Sequence, residues 1–591
     1  MNVAQLDSVL ASPQFSDLDR HFARLMHRLA GDTASPGLEL AAALVSRARS
    51  EGDICLDLAR LSGARISDDG AEDGAAFRCP VLGDWLDDLR AASVVGSPGE
   101  FKPLILDEHS RLYLQRYWRY EHDLAAAIRV RASESPRELN TELLQAGLGR
   151  LFPALPEGEF DLQRHAASVA VQKKFCVISG GPGTGKTRTV VLLLALLLEQ
   201  AGGKLRIALT APTGKAAARL QESVRAARDS LDCAPAIKAA LPDAASTIHR
   251  LLGSVHGLPQ FRHDAENPIA ADVVVVDEAS MVDLALMAKL FAALGPSARI
   301  ILLGDKDQLA SVDAGKVLGD ICAAAEGDSS TAALAGCVVH LRKNYRFSAD
   351  DGIHALSLAV NDGDADAAVA LLGSAGAGVA CVALPAANRL KVSLEERVLP
   401  VLREVFAAGA PAAALGALNR FRILCALRRG PFGVEHVNAL VEEILDEAGL
   451  IERHGSWYRG RPVMIGENDY DLGLFNGDVG VAWPDADGVL RVWFAGEGGS
   501  MRALMPARLP AHETVFAMTD HKSQGSEFEE ILLLLPDRES PVLTRELVYT
   551  GLTRASRRVE LWQREDVFRG AVCRRVERAS GLRDALLARE S

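Results

Sequence analysis

The chain has 591 residues, of which 48% are hydrophobic and 24% are charged. Such a length exceeds one ordinary hydrophobic core and suggests roughly three to five domains, and the composition excludes a largely disordered protein. A formal net charge of −13 excludes a chain-wide basic surface, so any contact with nucleic acid would have to lie in a local groove.

The cysteines and the apolar runs indicate the compartment. The nine cysteines contain no CxxC pair, which argues against a zinc or redox centre and indicates reduced thiols. The N-terminus lacks the basic and apolar segments of a signal peptide, and the run VVLLLALLLEQ ends at Glu199, well short of a membrane span. We therefore expect a cytoplasmic protein without a membrane segment.

The first 130 residues show helical periodicity. Apolar residues recur at three- and four-residue spacing between Asp17 and Leu58 and again from Arg111 to Ala132, which predicts a helical N-terminal domain over residues 1–130. The second stretch contains an aromatic group, which would either pack inside the domain or form a docking surface for a partner. Its members are Tyr113, Tyr117, Trp118 and Tyr120.

From about Phe175 to Leu341, short β-branched runs such as FCVISG and DVVVVDEA alternate with helical segments. This alternation is typical of a parallel sheet covered by helices on both faces. It returns near the C-terminus in EEILLLLPD and RRVELWQR. We predict an α/β fold with two such domains, over residues 131–340 and 341–591. Short alternating runs over residues 450–510 predict a small antiparallel barrel or meander inserted into the second domain.

A phosphate-binding loop follows the first predicted strand. The segment GGPGTGKT fits GxxxxGK[ST] between a strand and a helix, the context in which such a loop binds the phosphates of ATP. Lys186 would reach the β- and γ-phosphates, and Thr187 would bind Mg²⁺. The alternative is a chance glycine-rich turn. The predicted ATP-binding residues of the loop are Gly180, Gly181, Pro182, Gly183, Thr184, Gly185, Lys186, Thr187 and Arg188.

Two adjacent carboxylates end the strand VVVV. Asp277 would bind Mg²⁺, and Glu278 would orient and deprotonate the attacking water. An acidic pair alone would more often be a solvated strand end, but its combination with the phosphate loop favours hydrolysis of a nucleoside triphosphate.

Three further residues complete the predicted catalytic set. Gln308 follows a later strand, in GDKDQLASVDAG, where it could sense the γ-phosphate. Arg346 in LRKNYRF and Arg554 in VYTGLTRAS could each stabilise charge on the transferring phosphoryl group. Each arginine taken alone would more often belong to a surface ion pair.

Together these strings resemble superfamily 1 helicases of the RecD-like branch. The resemblance runs from about Phe160 to Arg558 and rests on GGPGTGKT, APTGKAAARL, STIHRLLG, VVDEASMVD, GDKDQLASVDAG, NYRF, TDHKSQGSEF and VYTGLTRAS. It implies two RecA-like P-loop domains that clamp ATP, an SH3-like insertion, 5′-to-3′ movement on single-stranded DNA, and an adenine contact from Gln163.

The resemblance also implies DNA contacts, through side chains suited to holding phosphates without reading sequence. Thr213 could instead cap a helix, and His249 could be a packed helix residue. The matching positions are Thr213, Lys215, Thr247, His249, His521, Lys522 and Ser523.

The N-terminal region resembles that of exodeoxyribonuclease V α subunits, through Glu39 to Leu61 and Leu104 to Ala125. This implies RecB-like and RecC-like partner subunits and a role in double-strand break repair. No segment shows the acidic-pair-plus-lysine pattern of that family's nuclease site, so nuclease activity should belong to a partner. The alternatives are a stand-alone RecD-like helicase, a loader acting on RNA, and a regulatory subunit with a weak ATPase.

Overall fold

The structure, a computed structural model, describes residues 3–66, 77–135, 139–153, 160–255, 260–326, 334–346, 352–374, 378–452, 455–469, 471–496 and 500–588. The N-terminal region combines helices with a four-stranded sheet in the order β1-β6-β5-β4. Its elements are α1 (Val3–Leu10), α2 (Asp17–Ala30), α3 (Pro36–Ser50), β1 (Cys55–Asp57), α4 (Leu58–Leu61), β2 (Arg65–Ile66), β3 (Phe77–Arg78), α5 (Leu82–Ala91), β4 (Val95–Gly96), β5 (Leu104–Leu106), β6 (Arg111–Leu114) and α6 (Gln115–Ser133).

The second predicted helix begins later than its periodicity indicates. Residues Arg111–Leu114 form β6, and the helix starts only at Gln115. Tyr113 pairs with Cys55 of β1 on one side and Ile105 of β5 on the other, so β6 is a central strand. Tertiary strand pairing overrides local helical preference here.

Helix α6 packs against the first α/β domain. Tyr113 is 1% exposed and shares a hydrophobic core with Phe175 and Phe291, against which Tyr117, Trp118 and Tyr120 also pack. The packed alternative for the aromatic group is therefore the one observed.

The first α/β domain is built on a six-stranded parallel sheet in the order β12-β7-β11-β10-β8-β9. Helices cover both faces of this sheet, so its central strands are mostly apolar, and in β10, Val273–Val276, all four side chains are fully buried. Its elements are α7 (Thr141–Leu151), α8 (Leu162–Gln172), β7 (Phe175–Gly180), α9 (Lys186–Gln200), β8 (Ile207–Ala211), α10 (Gly214–Arg228), α11 (Pro235–Ala240), β9 (Ala245–Thr247), α12 (Ile248–Leu252), β10 (Val273–Val276), α13 (Leu284–Ala292), β11 (Arg299–Gly304), α14 (Val317–Ala325) and β12 (Val338–Leu341).

The second α/β domain has a five-stranded parallel sheet in the order β13-β22-β21-β14-β20. Between β14 and β20 the chain forms an antiparallel five-stranded sheet, β18-β17-β16-β15-β19, which is the predicted insertion. The elements are α15 (Gly352–Asp362), α16 (Ala365–Gly373), β13 (Val379–Ala383), α17 (Leu390–Ala407), α18 (Pro411–Arg420), β14 (Phe421–Cys425), α19 (Val434–Glu447), β15 (Pro462–Ile465), β16 (Val479–Pro484), β17 (Leu490–Ala495), β18 (Met501–Leu504), β19 (His512–Thr514), β20 (Ala517–Thr519), β21 (Phe528–Leu534), α20 (Arg545–Leu552), β22 (Ala555–Gln563), α21 (Glu565–Cys573) and α22 (Leu582–Leu587).

The last helix, α22, leaves the second domain and returns to the first. Leu582 and Leu586 are buried in the core that α6 shares with the first α/β domain. Before this helix, the backbone N–H of Ile54 donates to the carbonyl of Ala579 at 2.9 Å. The C-terminal segment therefore ties the N-terminal region to the first α/β domain.

Candidate functional site

The phosphate loop lies between β7 and α9, as predicted. Gly183 and Gly185 have φ angles of 83° and 81°, a left-handed conformation that glycine adopts without strain. The Lys186 ammonium donates to the carbonyls of Gly180 and, at 3.1 Å, Gly181. The backbone amides at the start of α9 and this ammonium thus form a concave, positively polarised cradle, which fits a phosphate.

Gln163, at the start of α8, lies beside the loop. Asp161 caps the helix by accepting from the Gln163 N–H at 2.9 Å, which fixes the position of the side chain. The Gln163 amide donates to the carbonyl of Thr184 at 3.0 Å. In this structure Gln163 therefore buttresses the loop.

The acidic pair follows β10, also as predicted. Glu278 adopts the left-handed conformation with φ 51°, which is strained for a residue with a side chain and is a feature that clusters at functional sites. Its backbone N–H donates to Asp277 Oδ1 at 2.9 Å. Burial and the neighbouring Glu278 raise the pKa of Asp277, while Lys186 opposes this shift.

Gln308 and Arg554 meet across the cleft between the two α/β domains. Arg554 Nη2 donates to Gln308 Oε1 at 2.6 Å, and both residues are 4% exposed. Burial lowers the pKa of Arg554, and the nearby carboxylates of Glu278 and Asp305 oppose this shift. An arginine from the second domain thus faces the phosphate loop of the first, as an arginine finger must.

Arg346 pairs with a carboxylate from the second domain rather than standing alone. Its Nη2 lies 2.7 Å from Glu527 Oε2, and Arg219 Nη2 lies 2.6 Å from the same oxygen. Burial lowers the pKa of Arg346. One carboxylate of the second domain therefore pairs with Arg219 of the first domain and with Arg346 of the segment that follows β12.

These groups line a single cavity of about 340 Å³ between the domains. It brings together thirteen of the predicted residues: Gly181, Pro182, Gly183, Thr184, Gly185, Lys186, Thr187, Arg188, Asp277, Glu278, Gln308, Arg346 and Arg554. Six lining residues were not among the predicted site residues: Arg219, Leu220, Tyr345, Ser526, Glu527 and Thr553. They lie in APTGKAAARL, NYRF, TDHKSQGSEF and VYTGLTRAS, so the signal was present in strings already singled out.

The predicted DNA contacts follow the carboxyl ends of strands in both sheets. Thr213 follows β8 and Thr247 ends β9, and these strands are neighbours with Ala211 opposite Thr247. Both threonines cap helices: Thr213 accepts from Ala216 N–H and Thr247 from Arg250 N–H, each at 3.2 Å. The capping alternative for Thr213 is thus observed.

Lys215 and Lys522 belong to the first and the second α/β domain, respectively. Lys215 Nζ donates to Ser526 Oγ at 2.7 Å, and burial lowers its pKa to about 8. Lys522 Nζ pairs with Glu513 at 2.5 Å. These two ammonium groups are the cations among the predicted DNA contacts.

The remaining predicted contacts differ in accessibility. Burial lowers the pKa of both His249 and His521, which favours the uncharged form of each imidazole. The His249 ring contacts Phe261 edge-on, with ring centroids 5.8 Å apart. Ser523 is fully buried and its hydroxyl donates to the carbonyl of Asp520 at 2.7 Å, so this hydroxyl supports the loop and does not reach the surface.

Two parallel α/β domains that close on a phosphate loop, with an arginine from the second domain facing the loop of the first, define a two-domain P-loop ATPase of the helicase class. Three family descriptions match consecutive parts of the chain. Residues 12–113 match the N-terminal domain of RecBCD enzyme subunit RecD, residues 163–314 an AAA domain, and residues 514–561 the UvrD-like helicase C-terminal domain.

The chain belongs to the RecD family. It is 42% identical to the RecBCD enzyme subunit RecD of Mycobacterium tuberculosis over 96% of this chain and 94% of that protein. It is 35% identical to the same subunit of Haemophilus influenzae over 80% and 79%. The ATP-dependent RecD2 DNA helicase of Deinococcus radiodurans is 33% identical over 75% of this chain and 54% of that protein. Among solved structures, the Pif1 helicase from Candida albicans is similar over 70% of this chain and 96% of that one, at 15% identity and a TM-score of 0.39.

In the described ranges, no helix has the length and apolar character needed to cross a membrane.

Proposed function

We propose that the chain is an ATP-dependent 5′-to-3′ DNA helicase that works as a subunit of a RecBCD-type enzyme in double-strand break repair. The observation that carries this proposal is the cleft, in which residues of both α/β domains surround one phosphate loop. Since the arginine finger and the loop belong to different domains, closing and opening of the cleft can couple ATP hydrolysis to relative domain movement.

The roles within the cleft follow from chemistry and position. Lys186 and the loop amides would hold the phosphates, Glu278 would orient and deprotonate the attacking water, and Arg554 would stabilise the charge that develops on the phosphoryl group. Mg²⁺, when bound, would neutralise phosphate charge. Thr187 and Asp277 have the hydroxyl and carboxylate oxygens that this ion prefers, and both line the cavity.

Gln163 and Tyr345 are proposed to contact the adenine of ATP at one end of the cavity. Tyr345 is 54% exposed at the cavity edge, and its N–H donates to the carbonyl of Gly183 at 2.8 Å. An exposed aromatic ring held at the loop is suited to stacking on a base.

The single-stranded DNA would cross the carboxyl edge of both sheets. Lys215 and Lys522 would contact phosphates, with Thr213, Thr247, His249 and His521 nearby as polar contacts. Binding to phosphates explains how a chain with net charge −13 can hold DNA in a local groove.

Partner docking is proposed for the outer face of α2, because its apolar side chains are exposed, whereas the aromatic group packs against the first α/β domain. Leu18, Leu25 and Leu29 are 70%, 40% and 56% exposed and recur, with half-buried Phe22, at helical spacing. We name these four residues the α2 stripe. Exposed apolar residues in one row are typical of protein interfaces. The stripe lies within the match to the RecD N-terminal domain, which supports RecB-like or RecC-like subunits as its partners.

The main alternatives have less support. A regulatory subunit with a weak ATPase would have no need of the complete set of Lys186, Asp277, Glu278, Gln308 and Arg554 around one cavity. A stand-alone helicase is less favoured because the similarity to RecD subunits includes the N-terminal region.

Strand displacement tests the proposal. Fluorescent duplexes with a 5′ or a 3′ single-stranded overhang would be incubated with the full chain and ATP, alone and with its candidate partners. We expect unwinding only from the 5′ overhang, weakening with salt because the grip is on phosphates. Unwinding from the 3′ overhang would overturn the polarity, and ATP hydrolysis stimulated by RNA but not by DNA would overturn the substrate.

A further inference from the structure

A buried ring of hydrogen bonds joins the two α/β domains at the candidate site. Asp305 Oδ2, which follows β11 in the first domain, accepts from Gln308 Nε2 and from the hydroxyl of Tyr549, each at 3.0 Å. Gln308 in turn accepts from Arg554 at 2.6 Å. Tyr549 lies in α20 and Arg554 follows that helix, so the backbone of the second domain closes the ring.

The ring leaves only one orientation for the amide of Gln308. Both oxygens of Asp305 accept hydrogen bonds, and the Arg554 guanidinium only donates them. The Gln308 NH₂ must therefore face Asp305, and its oxygen must face Arg554. An amide flipped by 180° would place two donors against each other at the arginine and two acceptors at the carboxylate.

Both carboxylate oxygens of Asp305 accept hydrogen bonds. Its Oδ1 accepts from the backbone N–H of Asp307 at 3.1 Å, so both oxygens are used. Asp305 is 2% exposed, and a carboxylate this deeply buried is stable only when hydrogen-bonded. Tyr549 remains a donor because burial and Asp305 raise the pKa of its phenol well above the usual value.

The arginine is held at all three of its nitrogen atoms. Besides Gln308, Arg554 donates from Nε to the carbonyl of Thr550 at 3.2 Å and from Nη1 to the carbonyl of Ser526 at 3.3 Å. Those two bonds lie within the second domain. The bond to Gln308 is thus the one that aligns the guanidinium with the first domain.

Tyr549 also touches the phosphate loop directly. A Cβ atom added at Gly181 would lie 2.7 Å from the tyrosine hydroxyl, so the phenol is seated against the loop backbone. The ring of hydrogen bonds, which includes Gln308 and Arg554, therefore also lies against the phosphate loop.

We propose that Asp305 and Tyr549 are positioning residues for ATP hydrolysis: they fix the Gln308 amide so that it holds Arg554 toward the phosphate loop when the cleft is closed. This inference rests on the proposed ATPase function of the same cleft. Neither residue transfers a proton or touches the reacting atoms in this scheme.

The test uses the full chain carrying Tyr549→Phe, Asp305→Asn or both. Asparagine at position 305 can donate as well as accept, so both amide orientations of Gln308 become possible. We expect each single substitution to lower the DNA-stimulated kcat by roughly ten- to one-hundred-fold, since misplacement of a catalytic group has effects of this size. The KM for ATP and the affinity for a fluorescent ADP analogue should change less than about threefold, because the loop contacts remain.

The double variant shows whether Asp305 and Tyr549 act together through Gln308 or independently of each other. If both residues act through Gln308, the double variant should lose little more activity than Asp305→Asn alone. A product of the two single losses would contradict the ring. Tyr458→Phe is the matched control, because Tyr458 also donates to a carboxylate, Glu442, at 2.6 Å but lies outside the cavity. Its kcat should equal that of the unsubstituted chain.

The remaining outcomes are distinguishable. If the unsubstituted chain hydrolyses no ATP with DNA, the proposed function itself fails. If it does and the two variants keep its kcat, or lose affinity for ADP with kcat unchanged, the positioning role is wrong. A thermal midpoint that falls while kcat stays constant would show that the ring serves only the fold.

Discussion

Lys186 is the residue whose replacement separates chemistry from folding. Its ammonium donates to two loop carbonyls and packs in no apolar core. We expect Lys186→Gln to abolish nearly all DNA-stimulated ATP hydrolysis and to leave the thermal midpoint within a few degrees. Steady-state ATPase and calorimetry would check this. Exposed Lys204→Gln, just beyond the other end of α9, is the control. ATP hydrolysis at the unsubstituted rate in Lys186→Gln would refute the phosphate site.

Lys215 predicts a pH dependence of DNA binding. Burial lowers its pKa to about 8, with Arg422 adding to the shift and Asp478 opposing it. The side chain is charged below pH 8 and loses its proton as the pH rises through that value, so a phosphate contact should weaken between about pH 7 and 9. Lys215→Arg stays charged over this range. We expect the affinity for oligo(dT), measured by fluorescence anisotropy, to fall more steeply in the unsubstituted chain. Parallel pH profiles would rule Lys215 out as the titrating contact.

Loss of the Lys215 proton affects protein stability in the opposite direction: DNA binding should weaken as the pH rises, but the free energy of unfolding should increase. Its pKa is lower in the folded chain than in the unfolded one, so the folded state binds fewer protons between about pH 8 and the ordinary lysine value. Burial of the charged form therefore costs stability below pH 8, and this cost disappears as the pH rises through the window.

Residues inside one motif were predictable, whereas their partners across the cleft were not. Lys186, Asp277 and Glu278 follow strands in short strings whose chemistry is local. Glu527 acquires its role only because folding places it opposite Arg219 and Arg346, which are about 308 and 181 positions away in the chain. Similarly, Ser523 stood in a string of DNA contacts, but the tight turn at Asp520 buries its hydroxyl.

Helix α2 is the element on which the docking prediction depends. Asp19, Ala23, Met26 and Ala30 form its buried face, and the α2 stripe lies beside that face and is exposed. Substituting Leu25→Asp and Leu29→Asp together should weaken association with RecB-like or RecC-like subunits at least tenfold, because charge would enter an apolar contact. Co-purification and interferometry would measure it.

The control for the stripe uses the polar side of the same helix, which lies opposite the buried face. Arg24→Ala with Arg28→Ala changes the net charge by the same amount on the exposed polar side. This pair should keep the partners bound. DNA-stimulated ATPase of the isolated chain should be unchanged in both pairs, and complex formation at normal affinity by the aspartate pair would move the docking surface elsewhere.

At the level of elements, apolar runs located strands such as β7 and β10, which are buried throughout. They did not predict β9 and β13, whose side chains are partly exposed, nor the buried β14. Periodicity located the start of α6 incorrectly, since RLYL fits a helix equally well until β1 and β5 supply hydrogen bonds on both sides. The four-stranded N-terminal sheet consists of strands of two to four residues, which are too short to show an alternating pattern.

At the scale of the whole molecule, helix α22 connects the C-terminal segment to both the N-terminal region and the first α/β domain. Helix α22 packs against α6 and α14, so residues of the N-terminal region and of this C-terminal helix share one core with the first α/β domain. Around it, Gly581 N–H donates to Glu121 at 3.0 Å, and Arg111 pairs with Asp584 at 2.8 Å. We call residues 574–588 the C-terminal strap.

The strap should stabilise the first α/β domain and hold the N-terminal region on it. Leu582 is fully buried, so Leu582→Ala should lower the free energy of unfolding by about 2–5 kcal/mol through lost burial and the cavity left behind. Leu587→Ala, on the same helix but 41% exposed, should cost under about 1 kcal/mol. Urea denaturation would give both values, and limited proteolysis should cut the Leu582→Ala chain sooner than the Leu587→Ala chain. Equal stability of the two variants would show that α22 rests on the core without supporting it, and the N-terminal region would then be held by α6 alone.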